Sequence, residues 1–302
     1  MVSARRKNMS GIIPALITPY ADDGSVHEDL LVRLVRHLMA KGAAGFYVGG
    51  STGEGLLQTV EERKRVLEVV LQETGGKVPV IAHVGAMDTA TCVELARHAA
   101  RAGADAVSAV TPFYYKHEPE QIRQHYLDIA DAEGIPLIVY HIPGYTGAEL
   151  TAVFVGELAA AHVGIVGVKF TSRDMYEMQQ IIDICGEEFL VFNGHDECAL
   201  AGFVTGACGA IGSTFNIMPE LFAALHRHAT EGNWFEARRL QYEANRLIRE
   251  LLKYDVIAFE REVLRLQGFD VGPPRKPIRQ LSESERREIR AIAERFPFLG
   301  VV

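Results

Sequence analysis

Eight short apolar, β-branched runs, capped amphipathic helices between them and a strand-free C-terminal stretch predict an α/β fold: a (β/α)8 TIM barrel with a C-terminal helical appendage. Parallel barrel strands are buried on both faces, so they read as continuous apolar runs. The strand candidates begin at Ile12, Gly45, Val78, Ala106, Pro136, Gly164, Phe189 and Gly209. An open doubly wound sheet would alternate in the same way, but the glycine fingerprint such sheets often carry is missing.

The intervening helices carry start and stop signals. After the first strand, Ser25-Val26-His27-Glu28 reads as a capping box, Leu31, Leu34, Val35 and Leu38 form one face, and Gly42 stops the helix. After the second, Thr59-Val60-Glu61-Glu62 opens a helix with Val66, Val69 and Val70 inward and Gly75-Gly76 at its end. Asp88 begins the third, whose Ala- and Leu-rich face ends at Gly103. Beyond the eighth unit, from about Asn233 to Phe296, the pattern is helical. Arg238 to Tyr254 is its longest clear stretch, and Gly272-Pro273-Pro274 sets apart a last helix from Glu283 to Arg295. The expected organisation is a barrel over residues 9–232 and helices packed on it over 233–302, with too few apolar positions for an independent domain.

Composition excludes several classes. A net charge of -8 without a basic stripe argues against nucleic acid. Cys92, Cys185, Cys198 and Cys208 show neither CxxC pairing nor metal spacing, so reduced thiols and no metal are expected. The basic start Met1-Val2-Ser3-Ala4-Arg5-Arg6-Lys7 is not followed by an apolar core of signal-peptide length before Pro14, and no apolar stretch is long enough to span a bilayer. The expectation is a soluble, cytoplasmic chain.

The chemistry gathers at the predicted carboxyl ends of the strands, where this fold keeps its working residues. Lys169 ends the run Val163-Gly164-Ile165-Val166-Gly167-Val168. A lysine held there loses solvation, which disfavours the ammonium, and the free amine is a nucleophile for carbonyl carbon. A strand-end lysine that snorkels to water is the alternative on this segment alone. The loop Gly49-Gly50-Ser51-Thr52-Gly53-Glu54 is either a plain tight turn or a nest of N–H groups and hydroxyls suited to a carboxylate. It is neither GxGxxG nor a P-loop, and no nucleotide or other cofactor is expected.

Thr111-Pro112-Phe113-Tyr114-Tyr115 follows the fourth strand, where paired tyrosines often serve only packing. The fifth strand ends in Tyr140-His141-Ile142-Pro143, so the Tyr140 phenol is either a rim residue or a proton carrier beside Lys169. Asn193-Gly194-His195-Asp196-Glu197 and Ile211-Gly212-Ser213-Thr214 end the last two strands. Their carboxylates and hydroxyl suit a polyhydroxylated ligand, although acids are favoured at a helix N-terminus in any case.

With these residues in view, the chain resembles the pyruvate-dependent class I aldolases that include dihydrodipicolinate synthase and N-acetylneuraminate lyase. The resemblance runs from about Gly11 to the final helix. It rests on Gly49 to Glu54, Thr111 to Tyr115, Tyr140-x-Ile142-Pro143 and Gly167-Val168-Lys169-x-Thr171-Ser172, in this order. The chain is similar to the N-acetylneuraminate lyase branch in Gly50 to Glu54, Phe113-Tyr114-Tyr115, Met175-Tyr176-Glu177-Met178, Gly194-x-Asp196-Glu197 and Gly212-Ser213-Thr214-x-Asn216. The synthase branch carries an arginine where this chain has Tyr145.

The resemblance implies that Lys169 forms a Schiff base with the keto acid and that Tyr140 passes protons. Ser51 and Thr52 would bind the carboxylate of the pyruvate portion. Tyr114 would support the relay from a neighbouring subunit of a homotetramer. Thr171, Gly194, Asp196, Glu197 and Ser213 would hold the sugar-derived part. The implied reaction is reversible cleavage of N-acetylneuraminate, a sialic acid, to pyruvate and N-acetylmannosamine. Alternatives are another 2-keto-3-deoxy sugar acid aldolase or dehydratase, the synthase itself, or a barrel that only binds a small acid. Four residues depart from the branch pattern: His141, Phe170, Arg173 and His195. Phe170 and Arg173 adjoin the lysine strand and are expected to reshape the pocket beyond its pyruvate end.

Overall fold

In a computed structural model describing residues 9–301, eight parallel strands follow one another around a single sheet in the order β1-β8-β7-β6-β5-β4-β3-β2. They are β1 (Gly11–Pro14), β2 (Phe46–Val48), β3 (Val80–His83), β4 (Ala106–Val110), β5 (Leu137–His141), β6 (Ile165–Phe170), β7 (Leu190–Asn193) and β8 (Gly209–Gly212). Between β1 and β2 a single bridge, Ala15 beside Tyr47, brings the sheet round on itself, and Leu16 N donates to Tyr47 O at 2.9 Å. The result is the expected (β/α)8 barrel. Each strand begins within two residues of its predicted start. The basic segment Met1 to Lys7 lies outside the described residues, as does Val302.

Helix starts follow local hydrogen-bond chemistry. Thr59 and Glu62 exchange side chain-to-backbone bonds at the head of Val60–Thr74, as a capping box requires. Asp88 accepts from Thr91 N at 2.8 Å to open Thr89–Ala102. The first helix, Glu28–Ala40, differs from expectation: His27 caps it, accepting from Leu30 N. Ser25 lies two residues before that cap and donates to Asp23 Oδ1 at 2.6 Å.

Two apolar layers hold the barrel. Ile13, Tyr47, Ile81, Ala106, Ile138, Val166, Phe192 and Ile211 fill its interior. The opposite strand faces meet the helices, where Leu31, Leu34, Val35 and Leu38 are wholly buried. Burying each such side chain contributes about 1.5–3 kcal/mol. No helix among the described residues is long and apolar enough to cross a membrane.

After Pro219–Thr230 the chain adds the helices Trp234–Leu251, Val256–Leu266 and Glu283–Ala293. A buried ion pair ties the second of these to the loop after β2. Arg261 donates to Glu54 through Nε (3.0 Å) and Nη2, and also to Thr18 O (2.7 Å) and Val271 O (2.6 Å). Arg275 N donates to the other Glu54 oxygen at 2.6 Å. Removing one partner of such a pair strands the other charge in the interior. Arg261→Leu is therefore expected to cost about 3–5 kcal/mol in urea denaturation, with much of the loss recovered in the Glu54→Leu, Arg261→Leu double variant. A single-variant loss within experimental error of zero would refute a structural role for the pair.

Candidate active site

A cavity of about 370 Å³ opens at the carboxyl ends of the strands. Strand periodicity decides what faces it. Tyr140 of β5 and Lys169 of β6 are register partners and both line the cavity. The next pair along, His141 and Phe170, does not line it; the two rings stack on each other with centroids 5.0 Å apart. Burial pushes the His141 imidazole down to about 4. Phe170 is thus no pocket residue, contrary to expectation, because one step along a strand reverses the side chain. Arg173, beyond the strand end, does line the cavity.

Lys169 is only 5% exposed. Its Nζ lies 3.9 Å from the Tyr140 ring centroid and 4.7 Å from that of Tyr47, so two aromatic faces occupy space where water would otherwise solvate the amine. Tyr47 donates to Ser108 Oγ at 3.0 Å, and burial, then the Tyr140 phenol beside it, hold its own phenol well above the ordinary range. Tyr47 is therefore a neutral, engaged hydroxyl, and Tyr140 is the phenol that borders the cavity.

Ser51 and Thr52 sit at the tip of the loop after β2 and line the same cavity. The turn is closed by Glu54 N donating to Ser51 O (3.0 Å) and Gly55 N to Gly50 O (3.1 Å). From outside, Thr18 Oγ1 and Gln58 Nε2 both donate to Gly53 O at 2.9 Å.

The opposite wall follows β6, β7 and β8. Sheet-like bonds continue past the strand ends, from Thr171 N to His141 O (2.8 Å) and from Gly194 N to Phe170 O (2.9 Å). They press Thr171 against Gly194 so closely that a Cβ at 194 would lie 1.9 Å from Thr171 Oγ1. That hydroxyl has no hydrogen-bond partner. Asp196 Oδ2 accepts from Thr214 N (2.8 Å) and Thr214 Oγ1 (2.6 Å). Burial nevertheless pushes the Asp196 carboxyl up to about 6. Burial acts upward on Glu197 too, but the Arg173 guanidinium, 2.8 Å away, prevails and holds that carboxyl below its ordinary range. His195 Nδ1 lies 3.6 Å from the same Glu197 oxygen.

The C-terminal helices belong to this site in a way sequence reasoning missed. Gln241 Nε2 donates to Asp196 O (3.1 Å) and Asn245 Nδ2 to Glu197 O (3.1 Å), which fixes the acidic turn. Ile248, Leu251, Leu252, Val256 and Ile257 complete the cavity wall. The available signal was Gln241 and Asn245, amides four residues apart beside the apolar positions of one helix.

Tyr114 is the exception among the expected site residues. It is 81% exposed, has φ of 76°, packs edge-on against Tyr115 and does not line this cavity. Among the described residues no group of three or more His, Cys, Asp and Glu side chains is placed to hold a metal ion.

This arrangement can present an amine to a carbonyl, a phenol to a neighbouring proton, two hydroxyls to a carboxylate, and a carboxylate-rich wall to a hydroxylated chain. The chain matches the dihydrodipicolinate synthetase family over residues 8–296. It is 40% identical over 286 residues to the N-acetylneuraminate lyase of Rhizobium meliloti (strain 1021), covering 93% of each chain. Among solved structures it is similar to a catalytic lysine mutant of the Ruminococcus gnavus sialic acid aldolase, with 32% identity, 97% of each chain covered and a TM-score of 0.94. A Clostridium difficile protein solved in complex with mannosamine aligns with 33% identity, 95% and 99% coverage and a TM-score of 0.92.

Proposed function

The chain belongs to the dihydrodipicolinate synthetase family, and from that premise we propose that it reversibly cleaves N-acetylneuraminate to pyruvate and N-acetylmannosamine through a lysine imine. The observation that carries this reading is the buried Lys169 amine stacked against Tyr140 at the mouth of the barrel.

Lys169 Nζ attacks the C2 carbonyl of the keto acid, and loss of water leaves a protonated imine. Tyr140 passes its own phenol proton on through the relay to solvent and takes the C4 hydroxyl proton in its place as the C3–C4 bond breaks. The bonding pair flows into the imine, giving an enamine, and the aldehyde departs. The enamine then takes up a proton at C3, and water releases pyruvate and the free amine. Ser51 and Thr52 hold the substrate carboxylate. Thr171, Gly194, Asp196, Glu197 and Ser213 face the sugar-derived portion. Tyr114, exposed and turned from its own cavity, joins the relay of a neighbouring subunit in a homotetramer. A cytoplasmic setting fits the four free cysteines.

A second reading has one specific observation in its favour. Arg173 reaches the cavity and occupies Glu197, so the sugar side offers a cation where the branch pattern has none. A different 2-keto-3-deoxy sugar acid would suit that wall. Pyruvate release from a panel of such acids separates the two: turnover of N-acetylneuraminate is expected, and its absence alongside turnover of another acid selects the second.

A further inference from the structure

Glu260 lies on the helix Val256–Leu266, is wholly inaccessible to solvent, and has no hydrogen-bond partner at either carboxyl oxygen. A carboxylate left so is costly, since burial penalises the charged form and nothing replaces its hydration. The charged groups around it relieve little of that cost. Asp196, from the turn after β7, and Asp255, at the head of its own helix, add negative charge. Arg261, the next residue, directs its guanidinium to Glu54, Thr18 O and Val271 O. Burial raises the Glu260 carboxyl well above its ordinary range; the Ser213 hydroxyl beside it acts the other way and the two acids add to the rise. A carboxyl wholly buried, with neither oxygen partnered and two acids close by, keeps its proton and so has one O–H to donate.

The polar side chain within its reach is Ser213, whose hydroxyl borders it without completing a well-formed bond. Ser213 also lines the cavity. Its backbone is pinned, because Ser213 O accepts from Asn216 Nδ2 at 2.7 Å and Asn216 N at 3.1 Å. Only the hydroxyl orientation remains to be set. An ionised Glu260 would draw the Ser213 proton to itself and leave lone pairs facing the ligand. A neutral one does the reverse.

We infer that Glu260 is a positioning residue: its carboxyl donates to the Ser213 hydroxyl from behind, turns that hydroxyl's own proton into the cavity, and so selects substrates that place an acceptor oxygen there. This rests on the aldolase reading of the cavity and adds to it an oriented hydroxyl donor on the wall that carries Asp196 and Glu197.

The test compares Glu260→Leu, Glu260→Gln, Ser213→Ala and the Glu260→Leu, Ser213→Ala double variant, with borohydride trapping of pyruvate in each. Glu260→Leu is expected to raise KM for the sugar acid about three- to tenfold, the effect of one net hydrogen bond, with kcat and pyruvate trapping kept. Its melting temperature should not fall, because a wholly buried acid, whose desolvation cost at most one hydrogen bond offsets, is replaced by a hydrocarbon of similar size. Glu260→Gln, whose amide also donates, should restore KM. In the Ser213→Ala background, Glu260→Leu should have no further effect on KM. The inference is overturned by an unchanged KM in Glu260→Leu, by failure of Glu260→Gln to restore it, or by an equal rise in the Ser213→Ala background. If wild-type protein traps no pyruvate, the aldolase reading itself falls and the inference with it; trapping without the KM pattern removes the Glu260 role alone.

Discussion

Lys169→Ala is expected to reduce pyruvate release to the assay background, a loss greater than about 10⁴-fold. General acid–base help alone supplies about 10²–10⁴-fold, and the imine is the electron sink without which the C3–C4 bond has no route to break. The variant should remain folded. The lysine stem lies among aromatic rings at the cavity edge, so truncation enlarges a space that is already open to solvent. A second readout makes the assignment specific. Borohydride added with pyruvate should modify the wild-type peptide that contains residue 169 and leave the variant unmodified. Retained turnover in Lys169→Ala, or an adduct at another lysine, would mean that a different amine is the nucleophile.

Sequence reasoning reached the lysine for a physical reason. A parallel barrel strand is apolar on both faces, so a single cation at its carboxyl end stands out against Ile165 to Val168. The same property made the strand starts legible to within two residues. What it could not supply was the facing of the neighbours. Phe170 looked like a pocket residue by adjacency, yet its register partner is His141 and the two stack outside the cavity.

The C-terminal contribution was legible only as helix. Ile248, Leu251, Val256 and Ile257 read as ordinary core positions, and nothing in their spacing says that their burial is against a ligand cavity. Glu260 was hidden by its company. In Phe259-Glu260-Arg261-Glu262 a glutamate reads as the solvated face of an amphipathic helix, whereas all four residues are buried. Arg261 was missed in the same way, and with it the reason for Glu54. That residue ends a loop whose Ser51 and Thr52 line the cavity while its carboxylate holds the helices in place behind them. Loop and appendage are thus one mechanical unit, and the C-terminal segment cannot be treated as decoration on a finished barrel.

Tyr140→Phe separates imine formation from bond cleavage. The substitution removes one oxygen and keeps the ring whose centroid lies 3.9 Å from Lys169 Nζ and which meets Tyr47 edge-on at 6.0 Å. The lysine environment and the packing therefore persist, and borohydride should still trap pyruvate on residue 169. Turnover should fall about 10²–10⁴-fold, because the C4 hydroxyl proton then has no acceptor at the moment the bond breaks. Tyr47 cannot take over: it is committed to Ser108, and burial holds its phenol well above the ordinary range. The two readouts must move apart. Loss of trapping in step with turnover would reassign Tyr140 to amine positioning, and wild-type turnover would clear it of any part in proton transfer.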